Sequence, residues 1–189
     1  PEWFIESCKK ISYLFPRAHA VAYVMMAFRI AWFKVYHPLA FYAAYFSIRA
    51  KAFDLRIMTG DLNTQLKEFN RIKALDRGAS PKEKDLMSAL EVSMEMYQRG
   101  YRFINVDIQH SGARRFSIKD GALLPPFLAI DSLGETVADA IVEERETKPF
   151  TSLKDLQRRC KVSATIIETM KELKCCGDLP EDEQMSLFG

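Results

Sequence analysis

The residues best suited to chemistry here bind rather than react. Leu133-Gly134 stands directly before a run of helical periodicity, and Ser132 precedes it. A glycine after an apolar anchor lets a turn present free backbone N–H groups at a helix N-terminus, where the helix dipole favours an anion such as a phosphate. Cations gather just downstream. Residues 148–174 carry seven Lys/Arg against three Asp/Glu, among them Lys148, Lys154, Arg158, Arg159, Lys161, Lys171 and Lys174. Ser163 opens the next helical run. Each of these cations reads equally well as part of a solvated helix face, and Leu-Gly before a helix also suits a plain helical corner. At the other end, Tyr13, Arg17 and His19 open a long apolar helix, where a lone histidine by itself reads as a satisfied core residue. The last residues, Gln184-Met185-Ser186-Leu187-Phe188, offer a greasy dipeptide and an amide, the composition of a short docking peptide or of a frayed terminus.

The chemistry that is missing counts as much. Two-metal catalysis needs clustered carboxylates, and no Asp-x-Asp stands between apolar strand residues. Asp54, Asp61 and Asp76 read as caps or loop residues. Cys8, Cys160, Cys175 and Cys176 form no C-x-x-C pair, so reduced thiols, partly in a core, are expected rather than zinc or a disulfide.

The elements that must position these residues follow from periodicity. Val21, Val24, Met25, Phe28, Trp32 and Val35 make one helical face, and Tyr23, Met26, Ile30 and Phe33 fill the opposite one. Such a helix must be enclosed by other protein. Pro38 ends it, and residues 41–50 form a second helix, so a buried helix pair is expected. Arg29, Lys34, His37 and Pro38 interrupt the run before it reaches the ~18 uncharged residues of a membrane span. No charged start, apolar run and cleavage site mark a leader at Pro1. A helix over residues 62–75 follows, with Asp61 as N-cap. The clearest helix runs from Pro81 to Arg99, with Ser80 as N-cap, Glu83 completing a capping box and Gly100 as its left-handed stop. Residues 103–108 and 115–124 alternate as short strands around an Asp120-Gly121 turn. Two helix–turn–helix units then repeat: residues 128–146 around Ser132–Gly134, and residues 151–174 around residues 160–162. The acids of the first unit (Asp131, Glu135, Asp139, Glu143, Glu144 and Glu146) are expected on the face away from a phosphate backbone. The end, from Asp178, is expected to be acidic and flexible. The class is mainly α with a small β insertion (α+β). The chain has 189 residues, 48% apolar and 28% charged, with a net charge of +2, ordinary for a globular protein.

Residues 129–142, A-I-D-S-L-G-E-T-V-A-D-A-I-V, resemble a helix-hairpin-helix, a DNA-binding element without sequence preference, and the second unit makes the pair a tandem. The closing Q-x-S-L-F resembles the pentapeptide by which bacterial polymerases bind the β sliding clamp. Most specific is residues 13–23, Y-L-F-P-R-A-H-A-V-A-Y, which resembles the fingers signature of the C-family replicative polymerases, a K/R-x-H-A-x-A-Y run; residues 28–50 and 79–86 resemble their PolC branch. Arg17 stands where lysine is commoner. The resemblance runs from Trp3 to Phe188 and implies the C-terminal end of a bacterial DNA polymerase III.

What the resemblance implies is specific. Residues 1–102 would belong to the fingers, 103–127 to a β connector, 128–178 to the duplex-binding module and 179–189 to the clamp-binding tail. Tyr13, Arg17 and His19 would contact an incoming deoxynucleotide triphosphate. Ser132, Leu133, Gly134, Lys148, Arg158, Arg159, Lys161 and Ser163 would hold primer-template DNA. Gln184, Ser186, Leu187 and Phe188 would enter the clamp. The chain itself would hold no cofactor, with Mg2+ in the parent's palm, upstream of Pro1; cut from it, the chain would not polymerise. The setting would be the cytoplasm, with no membrane. The alternative is a stand-alone module that binds DNA and clamp without catalysis.

Overall fold

A computed structural model describes residues 1–10 and 16–182. Two compact units divide the chain, Pro1–Phe41 and Tyr42–Gly189.

The first unit contains α1 (Glu2–Lys10), α2 (Arg17–Tyr36) and the start of α3 (Pro38–Ile48). α2 begins after Pro16, whose fixed φ of −57° suits a helix entrance. It stops at His37, which donates its N–H to the Phe33 carbonyl at 2.8 Å, before Pro38 starts α3. The residue before a proline avoids the α region, so the two helices cannot run on as one. The expected buried helix pair needs correction. α2 buries none of its residues, and Phe28 is 73% exposed. Apolar residues surround the whole helix, and residues 1–41 contain too little chain to enclose them. Only α3 buries side chains, Tyr42 and Phe46. By length and composition, α2 is the one helix among the described residues that could cross a membrane.

The second unit begins with a one-turn helix, α4 (Leu55–Met58), and a helical hairpin of α5 (Leu62–Leu75) and α6 (Pro81–Gln98). The expected caps form. Asp61 accepts from the Thr64 N–H, and Ser80 and Glu83 make a complete capping box. Gly100 turns the chain at φ 86°, a conformation that costs other residues a clash. Between α5 and α6, Gln65 and Ser93 are fully buried. Their polar atoms satisfy each other at 2.6 Å, and Gln65 donates to the Met58 carbonyl at 3.1 Å.

Strands β1 (Ser117–Lys119) and β2 (Ala122–Leu124) pair antiparallel across Asp120-Gly121. Both turn residues take positive φ, as the tight hairpin turn requires. Residues 103–108 run beside this hairpin with only one bridge, from Phe103 to Leu123. A 3-10 turn at Phe127–Ala129 leads to α7 (Glu135–Thr147), followed by α8 (Leu153–Cys160) and α9 (Ala164–Glu172).

These three helices close over one core. Phe127, Ile130, Ala138, Ile141, Leu156 and Met170 are each at most 1% exposed, and burying a large side chain of this kind contributes about 1.5–3 kcal/mol. Cys160, Cys175 and Cys176 lie in the same core, all as free thiols. The expected loose tail also needs correction over its first part. The N–H groups of Leu153 and Lys154 donate to the Pro180 and Glu181 carbonyls at 2.9 and 3.2 Å. Lys171 holds Glu181 at 2.8 Å, and Lys154 pairs with Asp182. The free N–H groups at the start of α8 thus receive acceptors from residues 180–181.

Candidate nucleic-acid interface

The turn before α7 is built from its anchor outward. Leu133 is 5% exposed and fixes the loop in the core. Its N–H closes on the Ile130 carbonyl at 3.2 Å. Ser132, exposed, adopts φ 64° to make the bend. Gly134 is the N-cap of α7 at φ −77° and ψ 158°, and no side chain caps the helix there. Helices α4, α5, α6, α8 and α9 each receive a side-chain cap, from Asp54, Asp61, Ser80, Ser152 and Ser163. The contrast has a steric side. A Cβ at Gly134 would meet nothing within 4 Å, and its φ suits any residue. Nothing among the described residues therefore calls for glycine at the position.

The acids of α7 are not all turned to one far face. Arg114 donates to Glu135 Oε2 at 2.6 Å and to Asp139 Oδ1 at 3.1 Å. Its single positive charge offsets one of the two acid charges nearest the open helix end. The guanidinium also holds the Asp139 carboxyl below the usual carboxylate range.

The second unit is braced on the first. Ser152 is fully buried and caps α8 by accepting from the Asp155 N–H at 3.0 Å. Asp155, 5% exposed, accepts from Arg158 at 2.9 Å and from Arg159 at 3.2 Å. Arg159 reaches further. It donates to Glu144 Oε2 at 3.0 Å and to the Lys148 carbonyl at 2.9 Å, and it lies over the Phe150 ring. Of the residues singled out for DNA, Lys148, Arg158 and Lys161 are exposed, and Arg159 is turned inward as a strut. Lys161 sits at φ 54° in the turn, where Val162 is buried. The Ser163 hydroxyl accepts from the Ile166 N–H at 3.3 Å as the α9 cap. Sequence reasoning missed Arg114 and Asp155. Nothing local marks Arg114, whose partners lie more than 20 residues away, whereas Asp155 sits three residues after a serine N-cap, an acid in a helix first turn.

At the other end of the chain, Arg17 is exposed at the first turn of α2, and the His19 ring lies 4.4 Å from that of Tyr23. Tyr13, Gln184, Ser186, Leu187 and Phe188 lie outside the described residues. Among the described residues no three His, Cys, Asp or Glu side chains gather where they could hold a metal ion.

The helix-hairpin-helix motif family matches residues 100–185. The chain is also 50% identical over 188 residues to the DNA polymerase III PolC-type of Caldanaerobacter subterraneus subsp. tengcongensis. It is 47% identical over 190 residues to that of Streptococcus pyogenes serotype M12, and 48% identical over 190 residues to that of Streptococcus sanguinis. The chain matches PolC-type DNA polymerase III along its whole length. It spans 13% of the length of each of these PolC-type relatives. The open turn at Gly134 falls inside the helix-hairpin-helix match.

Proposed function

We propose that this chain is the part of a replicative DNA polymerase, of the PolC type, that grips duplex DNA without reading its sequence. The observation that carries this reading is the uncapped N-terminus of α7 at Gly134, inside the helix-hairpin-helix match. Its first turn is exposed and has no side-chain cap, and a DNA phosphate supplies the missing anion. Ser132 and Leu133 shape the turn. Lys148, Arg158, Lys161 and the Ser163 turn add cations and donors along the same run. Such contacts fix the duplex in place and carry no sequence information. Arg159 serves the site by bracing α7 on α8.

In the same reading, Tyr13, Arg17 and His19 approach the incoming deoxynucleotide triphosphate. Gln184, Ser186, Leu187 and Phe188 dock on the β sliding clamp, which raises the effective concentration of the primer end. Polymerisation on Mg2+ belongs to the remainder of a parent protein, and the setting is the cytoplasm. That remainder covers α2, in place of a membrane. The match to the PolC-type relatives along the whole of this chain supports this assignment.

The test is Gly134→Asp in the whole chain, read by anisotropy of a labelled blunt duplex. An aspartate N-cap satisfies the open N–H groups and suits the helix, so the unfolding midpoint holds or rises. It also puts a negative charge where the phosphate would sit. Duplex affinity should fall about tenfold, close to 1.4 kcal/mol. Unchanged affinity in a folded variant would remove the phosphate grip.

A further inference from the structure

A separate groove brings cations and aromatic rings together. Residues 43–53 and 109–119 contain no acid between them and hold Arg49, Lys51, Arg114, Arg115 and Lys119. The two segments are fastened together: the Phe116 N–H donates to Ser47 Oγ at 2.9 Å, and the Phe116 ring lies 5.0 Å from Phe53 and 5.7 Å from Phe46. Between them runs an open groove of about 220 Å3, lined by Phe53, Phe116, Leu128 and Pro126, with Lys51 and Arg114 at its sides. Lys51 and Arg115 are exposed, and Phe53 and Phe116 are half-buried. Arg114 forms a wall of this groove and at the same time holds Glu135 and Asp139 of α7. Arg114 thus ties the groove wall to the first turns of α7.

We infer that this groove takes an unpaired nucleotide of a DNA strand, its base against Phe53 and Phe116 and its phosphates beside Lys51 and Arg115. The ligand class rests on the nucleic-acid reading above, but the site and its preference are separate from the duplex grip. Charge decides the occupant: Lys51 and Arg115 stand exposed at the rim and suit a polyanion, while Arg114 is engaged with Glu135 and Asp139 and Lys119 with Asp107. Rings decide its form, because aromatic faces interleaved with cations are the hardware of single-strand binding, where bases stack without sequence preference. The bases of a closed duplex are already stacked and do not enter such a groove.

The experiment uses the whole chain and three labelled DNAs: a blunt duplex, the same duplex with an unpaired extension containing 5-bromodeoxyuridine, and single-stranded oligothymidylate. The extension should tighten binding at least about fivefold over the blunt duplex. On irradiation it should crosslink to residues 46–53 and 114–129. Phe116→Leu, which keeps apolar bulk, and the exposed change Lys51→Glu should each remove the increment; Phe116→Leu should leave blunt-duplex affinity as it was. No increment, crosslinks elsewhere, or an increment that survives both variants overturns the proposal. Blunt-duplex affinity and its response to Gly134→Asp report the duplex grip alone, so oligothymidylate binding without duplex binding would sink the grip and sustain the groove.

Discussion

The guanidinium carbon of Arg159 stands 4.6 Å from the centroid of the Phe150 ring. Phe150 is 7% exposed, so this cation rests on the core and is not offered to solvent. Its donors are taken up by α7, by α8 and by the loop between them.

Neighbouring arginines should therefore behave differently. Arg159→Ala leaves Asp155 and the Lys148 carbonyl short of a donor, and stability should fall by about 2–4 kcal/mol in urea unfolding. Arg158, with a side chain 74% exposed, should leave the unfolding midpoint nearly unchanged as alanine. It should instead weaken duplex binding and reduce the salt slope by about one. An exchange of these two phenotypes would disprove the strut.

Asp155 gives the chain an acid-sensitive brace. Burial pushes its carboxyl up, but the bonds from Arg158, the Thr151 N–H and Arg159 outweigh burial and leave it below the ordinary aspartate range. A carboxyl lowered in the folded state stabilises the fold above its unfolded pKa, ~3.9. That contribution is lost as pH falls from about 4 through the folded value. Asp155→Asn should be less stable at neutral pH and should lose less on acidification. Parallel stability curves for the two proteins would contradict this.

The thiols should separate into two groups. Burial pushes Cys160 and Cys176 up to about 11 and Cys175 up to about 12, and the thiolate is the reactive form. At pH 8 a thiol-specific reagent should modify half-buried Cys8 in the native chain. The other three should react only as urea unfolds the second unit. Fast native labelling of Cys175 would place it outside the core.

Replacing Leu187 and Phe188 together by alanine should abolish binding to the sliding clamp, measured by surface plasmon resonance. Duplex affinity and unfolding midpoint should stay as they were. Clamp affinity equal to that of the parent chain would refute the tail's role.

Signals that act within a few residues could be read directly. Asp61, Ser80 with Glu83, and Ser163 all cap helices, and Asp120-Gly121 turns a hairpin. What escaped is long-range. Residues 103–108 alternate like a strand, yet the Ile104 N–H goes to Leu123 and the Ile108 N–H to Cys175, partners no local pattern names. The Arg114 clasp on α7 joins residues more than 20 apart. The Pro180 and Glu181 carbonyls that meet α8 look, in sequence, like the start of an acidic tail. Of the candidate site, the glycine turn was legible from its anchor and spacing. The division of the cations into braces and free charges was not, because only packing decides it.

Helix α2 has a practical consequence for every measurement above. Tyr23, Phe28, Trp32 and Tyr36 lie open to water, and oily surface on this scale seeks cover from whatever is at hand, a second copy or a detergent micelle included. Light scattering against protein concentration will therefore register residues 17–36 first, and titrations with DNA report the rest of the chain only below the concentration at which copies begin to adhere.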